Sequence, residues 1–234
     1  MNNNKLVIVP AAGFGRRVGS PTAKEMMIRP KEDPFFGEPL IFMPLELAKK
    51  SQAKIHIVTR SSKSDLLEYL ENLKKNDHYF NNNLSIQIVE ITKEWPDSIL
   101  KSQPYWLENN LILLPDTTFA PLHAFSNAFS ALDKSSDLVF ATIEKSDYQS
   151  WGVVDFEMGQ HCEKPKKWTA TTRAWGFIGF KKAHGLALLE SLLMSTFDSQ
   201  WRDIGSLCST VTPTNEKKIC EIKLEQFVDL TRPQ

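Results

Sequence analysis

The chain has 234 residues, of which 41% are hydrophobic and 24% charged, a composition typical of ordinary soluble globular proteins. Acidic and basic residues balance at 28 each, so charge gives no reason to expect nucleic acid as the main partner. The apolar run over residues 6–12 is too short to span a membrane and lacks the basic flank and cleavage site of a signal peptide. We therefore expect a cytoplasmic protein with no membrane partner. Three cysteines without metal-ligand spacing predict neither a disulfide framework nor a cysteine metal site.

The first 144 residues alternate predicted strands and helices. Apolar or alternating runs predict strands at 6–9, 54–59, 84–91, 111–114 and 138–143. Helical periodicity and starting residues predict helices at 39–48, at 64–75, from 96 onwards and at 122–132. This order predicts an α/β fold with a mostly parallel, Rossmann-like sheet and helices on both faces. Ligands of such sheets bind at the carboxyl ends of the strands.

The remaining residues predict a small antiparallel addition to the sheet. Strands are expected at 151–157 and 173–180, followed by a helix at 183–195 and short strands at 217–224 and 227–230. The expected core side of that helix carries Leu186, Leu189, Leu193 and Phe197. The polar run 81–83 predicts a loop, and no linker separates two domains. We therefore expect one domain over residues 1–234.

The loop after the first strand is the strongest local signal. It contains two small residues and two glycines, which permit unusual backbone angles and a close approach to a ligand. Successive exposed N–H groups in such a loop form a concavity for anions, and Arg16, Arg17 and Lys24 add cations. The spacing matches neither the dinucleotide fingerprint nor a Walker A loop. The stretch therefore predicts phosphate binding by another kind of loop.

With Lys24-Glu25 seven residues after Arg17, this stretch resembles the N-terminal signature of nucleotidyltransferases with the glycosyltransferase-A-like fold. The resemblance implies that the loop wraps a nucleoside triphosphate. It implies that Arg17 and Lys24 are catalytic, stabilising charge on the triphosphate and on the leaving pyrophosphate. The nucleotide-binding loop residues would be Ala11, Ala12, Gly13 and Gly15.

Two aspartates are candidate ligands of Mg²⁺, which prefers one or two carboxylates plus phosphate oxygens. Asp116 follows the most hydrophobic strand, where it either holds a metal or caps the next segment. Its surroundings resemble the Gly-Asp-Asn or Gly-Asp-Thr motif of sugar-phosphate nucleotidyltransferases, with Pro115 in place of glycine. Asp229 resembles the second metal ligand of that family, in a late Trp-x-Asp-x-Gly-Thr motif whose glycine is absent here. A surface-loop aspartate fits Asp229 equally well.

A second resemblance lies in residues 151–165. They resemble the Tyr-Gly-Val-Val-Glu-Phe … Glu-Lys-Pro segment of glucose-1-phosphate thymidylyl- and uridylyltransferases. The resemblance implies that Gly152 and Glu163 contact the sugar and that Lys164 contacts its phosphate, which suits a carboxylate and an ammonium. The alternative is a solvated hairpin with a weak ion pair. Trp175, on a strand that resembles the one packed beside the sugar, either closes over a sugar ring or belongs to the core.

Ser98 stands where the family usually carries the glycine of a Pro-x-Gly segment near the nucleotide base. Its hydroxyl either bonds a base edge or caps the helix. Together the resemblances divide the chain into a nucleotide-binding part, 1–144, and an acceptor-binding part, 145–234. They imply a Mg²⁺-dependent nucleotidyltransferase whose partners are a nucleoside triphosphate and a sugar 1-phosphate. The acceptor phosphate would attack the α-phosphorus in line, so that catalysis depends on positioning and charge neutralisation.

Two other functions stay open. Residues 10–17 and their short spacing to Lys24 resemble methylerythritol-phosphate cytidylyltransferase more closely than the thymidylyltransferases. A catalytically silent nucleotide- or sugar-phosphate-binding protein is consistent with the departures at Ala12, Pro115 and Ser98 and with the missing late glycine. The sequence leaves open the base, the acceptor and whether the chain forms a homo-oligomer.

Overall fold

The computed structural model describes residues 4–13, 22–90, 92, 94–167, 169, 171–208 and 218–231. The strands are β1 (Lys5–Pro10), β2 (Lys54–Thr59), β3 (Leu84–Ile88), β4 (Asn109–Ile112), β5 (Thr117–Ala120), β6 (Leu138–Glu144), β7 (Gly152–Asp155), β8 (Gln160–Glu163), β9 (Arg173–Lys181), β10 (Arg202–Asp203), β11 (Ile219–Lys223) and β12 (Gln226–Asp229). The helices are α1 (Phe42–Lys50), α2 (Ser64–Asn76), α3 (His78–Asn83), α4 (Trp95–Leu100), α5 (Ala124–Lys134), α6 (Lys182–Asp198) and α7 (Gly205–Cys208).

The main row of the central sheet runs β3-β2-β1-β4-β9-β6-β11. Its neighbours pair in parallel except at β9, which is antiparallel to β4 and to β6. From the start of β9 the sheet continues into the antiparallel strands β7, β8 and β10. A separate antiparallel pair joins β5 to β12. This arrangement confirms the predicted α/β fold with a mostly parallel sheet and an antiparallel addition.

Strand β1 shows why the sheet is covered on both faces. Its apolar, β-branched residues are buried throughout, as expected of a strand between two layers. Val7 and Val9 belong to one core, built largely from α1, α2 and α5. Leu6 and Ile8 belong to a second core, which includes residues of α4 and α6. Alternate residues of one strand therefore hold both layers together.

The structure differs from the prediction at residues 81–83 and at β8. The run 81–83, predicted as a loop, lies in α3, which Asp77 begins by accepting a hydrogen bond from the backbone N–H of Tyr79. Strand β8 was not predicted, because its polar sequence has no apolar alternation although three of its four residues are buried. Its register against β7 places Glu163 opposite Gly152. Among the described residues, no helix is both long and apolar enough to cross a membrane.

Helix α6 buries a different face from the predicted one. Leu186 and Phe197, expected in the core, are 42% and 52% exposed, whereas Leu188, Leu189 and Leu192 are buried. The helix is apolar around most of its circumference, so periodicity alone does not choose a face. Gly185 lies on the buried face. A Cβ there would stand 2.4 Å from the Phe180 ring, so only glycine allows the helix to pack this closely. The helix therefore packs closest through its glycine.

Candidate functional site

The first predicted site residues directly follow β1 at the carboxyl edge of the sheet. Ala11 and Ala12 are buried, and the backbone N–H of Ala11 donates to the carbonyl of Val58 at 2.8 Å. Gly13 is exposed, and no described atom lies within 4 Å of the point where its Cβ would stand. The chain is thus tightly held where it leaves the sheet and is exposed at Gly13. Gly15 and Arg17 lie outside the described residues, so their roles stay predictions.

Lys24 and Asp116 form an ion pair, although they are far apart in the sequence. The Lys24 Nζ lies 2.6 Å from Oδ2 of Asp116, and both side chains are mostly buried. Burial lowers the pKa of Lys24, but the attraction of Asp116, helped by Glu25 and Asp229, outweighs it. The net effect raises that pKa above the usual 10.5. The ammonium is therefore fully charged at neutral pH.

Asp229 joins this pair through the small β5–β12 sheet. The register places Asp229 opposite Thr117, next to Asp116. One residue further on, the backbone N–H of Leu230 donates to the carbonyl of Asp116 at 2.9 Å. Oδ1 of Asp229 accepts hydrogen bonds from the backbone N–H and hydroxyl of Thr231. The fold thus brings one predicted phosphate-binding cation and two predicted metal ligands to one place.

Both neighbours of Lys24 are anchored to the region where α2 begins. The backbone N–H of Ala23 donates to Asp65 at 2.8 Å. Glu25 is fully buried, and both of its oxygens accept hydrogen bonds from Lys63, at 2.8 and 2.7 Å. No sequence pattern predicts a role in the site for Lys63 or Asp65, because contacts over this separation have no local signal. These contacts restrict the backbone of Lys24 on both sides.

Replacing Asp65 with alanine should loosen this anchor. The Ala23 N–H loses its acceptor, so we expect the free energy of unfolding to fall by about 1–2 kcal/mol. Urea unfolding measures the change. Glu68→Ala, at an exposed position of the same helix, is the control and should be close to neutral. Equal stability of the two variants would contradict the anchoring role.

The predicted acceptor residues also converge. Glu163 and Trp175 are 5% and 6% exposed, and Gly152 lies between them. A Cβ on Gly152 would stand 2.0 Å from Nε1 of Trp175 and 2.4 Å from Oε1 of Glu163, so the position requires glycine. Within the described structure these two polar atoms are buried and have no hydrogen-bond partner of adequate geometry. Unpaired buried polar atoms are rare in folded proteins and demand an explanation.

The carboxyl group of Glu163 is a weaker acid than an ordinary glutamate. Burial raises its pKa from 4.5 to about 7, and the opposing effects of Lys164 and of the Trp175 indole are smaller. The indole N–H is close enough to favour the carboxylate, although its geometry falls short of a hydrogen bond. Near neutral pH this group therefore exists in both protonation states.

Lys164, immediately after β8, has a backbone conformation that non-glycine residues rarely adopt. Its φ is +48°, and its N–H donates to the carbonyl of Trp151 at 3.0 Å while its side chain is exposed. Such conformations persist only where the surroundings enforce them and often mark functional sites. The strain supports, without testing, the role that the sequence predicts for Lys164.

Helix α4 lies against the acceptor residues. Trp95 at its start packs on Trp175, with ring centroids 5.6 Å apart. Ser98, in the same helix, is buried, and its hydroxyl donates to the carbonyl of Trp95 at 2.6 Å. The hydroxyl proton is therefore used inside the helix, and a contact between Ser98 and a base stays a prediction.

A cavity of about 400 Å³ opens beyond β2 and β3, next to β1 in the sheet. Its lining residues lie in no predicted motif; they are Arg60, Ser61, Ser62, Val89 and Glu90. It lies at the carboxyl ends of parallel strands, the usual place for a ligand. In the sheet, β2 and β3 lie on one side of β1, and β4 and β9 lie on the other. The cavity is therefore separated by β1 from Asp116 and from the acceptor residues.

No family model and no curated protein matches the sequence. Among solved structures, the chain is similar to a Bacillus anthracis protein described provisionally as a glucose-1-phosphate thymidylyltransferase, crystallised in complex with sucrose. The TM-score is 0.72, and the match covers 97% of this chain and 89% of that one at 13% sequence identity. The chain has the nucleotidyltransferase fold. An identity this low establishes the fold alone, so the site residues must carry any functional argument.

The carboxylates of this nucleotidyltransferase fold suit Mg²⁺ only in part. Among the described residues, no group of three or more acidic, histidine or cysteine side chains is placed to hold a metal. The carboxylates of Asp116 and Asp229 nevertheless both lie near enough to attract the Lys24 ammonium, and Mg²⁺ commonly takes one or two carboxylates with water and phosphate oxygens. The two carboxylates therefore fit a metal ion that is bound to a triphosphate and takes its other ligands from phosphate and water. They do not supply enough ligands for a metal by themselves.

Proposed function

We propose that the protein is a nucleotidyltransferase that joins a nucleoside triphosphate and a sugar 1-phosphate to give a nucleoside diphosphate sugar and pyrophosphate. The observation that carries this proposal is the Lys24–Asp116 pair at the carboxyl edge of a nucleotidyltransferase fold, 2.6 Å apart. A cation next to a carboxylate offers charge for a phosphate and a ligand for its metal ion in one place. The low-identity structural neighbour supports the reaction class only through its fold.

The nucleotide half consists of the loop after β1, Lys24 and Asp116. A triphosphate in this loop replaces Asp116 as the partner of the Lys24 ammonium, which then neutralises charge on the phosphates. Asp116 and Asp229 would hold Mg²⁺, which when bound adds charge neutralisation at the α-phosphate. The anchored backbone around Lys24 keeps the ammonium in place, so little reorganisation is required during the reaction.

The acceptor half consists of Gly152, Glu163, Lys164 and Trp175. The carboxylate of Glu163 accepts a hydrogen bond from a sugar hydroxyl, and the Trp175 indole N–H donates one, so both unpaired atoms gain partners. The exposed ammonium of Lys164 attracts the acceptor phosphate. One oxygen of that phosphate attacks the α-phosphorus while the bond to pyrophosphate breaks, and no covalent intermediate with the protein is needed.

The two halves face the same edge of the sheet. Strand β9 runs antiparallel to β4 and β6, so its first residues lie beside the carboxyl end of β6, where Trp175 is opposite Thr142. Asp116 follows β4, which pairs with the other end of β9. The chain after β4 continues past that strand toward the shared edge. Two substrates bound along this edge would therefore meet both sets of residues.

The test is pyrophosphate release from the purified chain with Mg²⁺, each nucleoside triphosphate and a panel of hexose 1-phosphates. Lys164→Ala is expected to raise KM for the acceptor by about 10- to 100-fold, as for the loss of one charged contact. KM for the nucleotide should stay unchanged. Lys50→Ala is the matched control, because that lysine is exposed on α1 and remote in the fold from the carboxyl edge. Release of no pyrophosphate with any acceptor would refute the proposal.

A cytidylyltransferase acting on a smaller polyol phosphate is the second candidate. It is favoured by the Trp175 indole, whose nitrogen occupies the space next to Gly152 and leaves less room for a ring. Methylerythritol phosphate with CTP in the same assay distinguishes the two. Turnover with that pair alone would replace the hexose. Nucleotide binding without pyrophosphate release would instead indicate the silent binding protein.

A further inference from the structure

Arg29 is a fully buried cation that the proposed reaction does not use. Its side chain is enclosed by protein, and Nη1 forms an ion pair with Asp33, itself buried, at 2.8 Å. Nη2 donates to the carbonyl of Leu40 at 2.6 Å and approaches the carbonyls of Pro115 and Thr117, each at 3.4 Å. The last two residues flank Asp116. The guanidinium thus reaches both sides of the predicted metal ligand.

The backbone of Arg29 belongs to the segment that starts at Lys24. This segment folds back on itself: the N–H of Arg29 donates to the carbonyl of Glu38, and the N–H of Leu40 donates to that of Met27. The N–H of Ile41 closes the segment by donating to the carbonyl of Glu25, next to Lys24. One side chain therefore connects the segment that carries Lys24 with the turn that carries Asp116.

A buried ion pair is a weak source of stability. Removing two charges from water costs free energy, and well-packed apolar residues often stabilise a fold equally well. Burial lowers the pKa of Arg29 against the opposing attraction of Asp33 and Asp116, and its Nε has no hydrogen-bond partner in the described part of the chain. Arginine does offer a planar fork of donors that can hold several carbonyls at fixed positions.

We propose that Arg29 is a positioning residue that sets the place of Asp116 relative to Lys24, by holding the carbonyls on either side of Asp116 to the Lys24 segment. The consequence for catalysis rests on the proposed function, whereas the consequence for the turn does not. Without the fork, the backbone around Asp116 is no longer fixed to the Lys24 segment once a triphosphate replaces Asp116 as the partner of Lys24. The two groups then meet the same triphosphate in the required geometry less often.

The test replaces the whole pair with apolar residues in the double variant Arg29→Met/Asp33→Leu. No buried charge is left unpaired, but the Leu40 carbonyl and the Phe35 N–H lose their partners, so we expect Tm to fall by about 4–8 °C. Hydrogen exchange of the backbone amides of residues 116–119 should be at least about tenfold faster, since opening of the turn is no longer resisted. In the transferase assay, kcat should fall about tenfold or more, with KM for the acceptor unchanged.

Two further variants keep the test decisive. Asp137→Asn removes a buried carboxylate before β6, at the opposite edge of the sheet, and should lower Tm without faster exchange at 116–119. Should the double variant fail to fold, Arg29→Lys keeps a cation for Asp33 but loses the fork, and the same rise in exchange is expected. Wild-type exchange at 116–119 in the folded variants would overturn the positioning role. Absence of pyrophosphate release from wild-type protein would instead refute the proposed function.

Discussion

Replacing Lys24 with methionine is expected to lower kcat for pyrophosphate release by about 10²–10³-fold, the usual effect of removing one preorganised group that stabilises developing charge. The ammonium lies 2.6 Å from Asp116, and attraction by nearby carboxylates keeps it charged. Methionine has a similar length and no charge, so the packing around the site changes little. Steady-state kinetics with saturating triphosphate and acceptor measure the effect.

The same variant should change metal binding in the opposite direction. Without Lys24, one oxygen of Asp116 loses its ion-pair partner and becomes available to a cation. We therefore expect Mn²⁺ to bind the nucleotide-free variant more tightly than the nucleotide-free wild type, as followed by electron paramagnetic resonance. Lys50→Met, on the exposed face of α1, should match wild type in both measurements. An unchanged kcat in Lys24→Met would show that Lys24 does not contribute to catalysis.

Replacing Glu163 with glutamine is expected to weaken acceptor binding and to strengthen the fold. The amide oxygen of glutamine is an uncharged and weaker acceptor for a sugar hydroxyl than the carboxylate, so KM for the acceptor should rise about 10- to 100-fold. In wild type, the same KM should fall as pH rises through about 7, because the carboxylate then becomes the main form. The pH profile of the variant should lack this step.

The effect on stability follows from the raised pKa of Glu163. Its value in the folded protein is about 7 against an ordinary 4.5, so folding favours the protonated form. The stability that this preference contributes is complete below pH 4.5 and is lost as pH rises through 7. The shift corresponds to about 3 kcal/mol, by which Glu163→Gln should exceed wild type at pH 8, with a much smaller difference at pH 5.

Urea unfolding at both pH values measures this difference. Glu157→Gln, an exposed glutamate on the same hairpin, is the control and should show neither the gain in stability nor the loss of acceptor binding. A Glu163→Gln variant that is less stable than wild type at pH 8 would show that the carboxylate is favourably paired. A gain in stability joined to a loss of binding is instead the pattern of a site kept for function.

The fold was largely predictable because its signals are local. The apolar, β-branched run of β1 and the alternation of strands and helices up to residue 144 were sufficient for a parallel sheet with two covered faces. Strand β8 escaped prediction because its buried residues are polar, and burial of a polar side chain depends on its partners. The core face of α6 includes one glycine that packs closely against the rings of Phe180 and Trp106. Neither property can be read from hydrophobic periodicity.

The members of the candidate site could be listed from the sequence, but their arrangement could not. Lys24, Asp116 and Asp229 were candidates from motif resemblance, and the fold places them together through an ion pair and a strand register. The sequence could not show that Glu163 is almost fully buried with an unpaired oxygen, since that depends on Gly152 and Trp175 from other strands. Arg29 lay in no motif, and its importance arises only from contacts with residues more than eighty positions away.

The position of β9 has a consequence for how the chain folds. This strand, Arg173–Lys181, lies between β4 and β6, which both precede it in the sequence. During synthesis, β4 and β6 are therefore made before their common neighbour β9. The edge of each strand that pairs with β9 stays unpaired until β9 has been made. Pairings over such separations require closure of long loops before any contact compensates, which slows folding. The strands up to β4 can pair with one another before β9 is synthesised, whereas in the described structure β6 joins them only through β9, so the sheet is completed late.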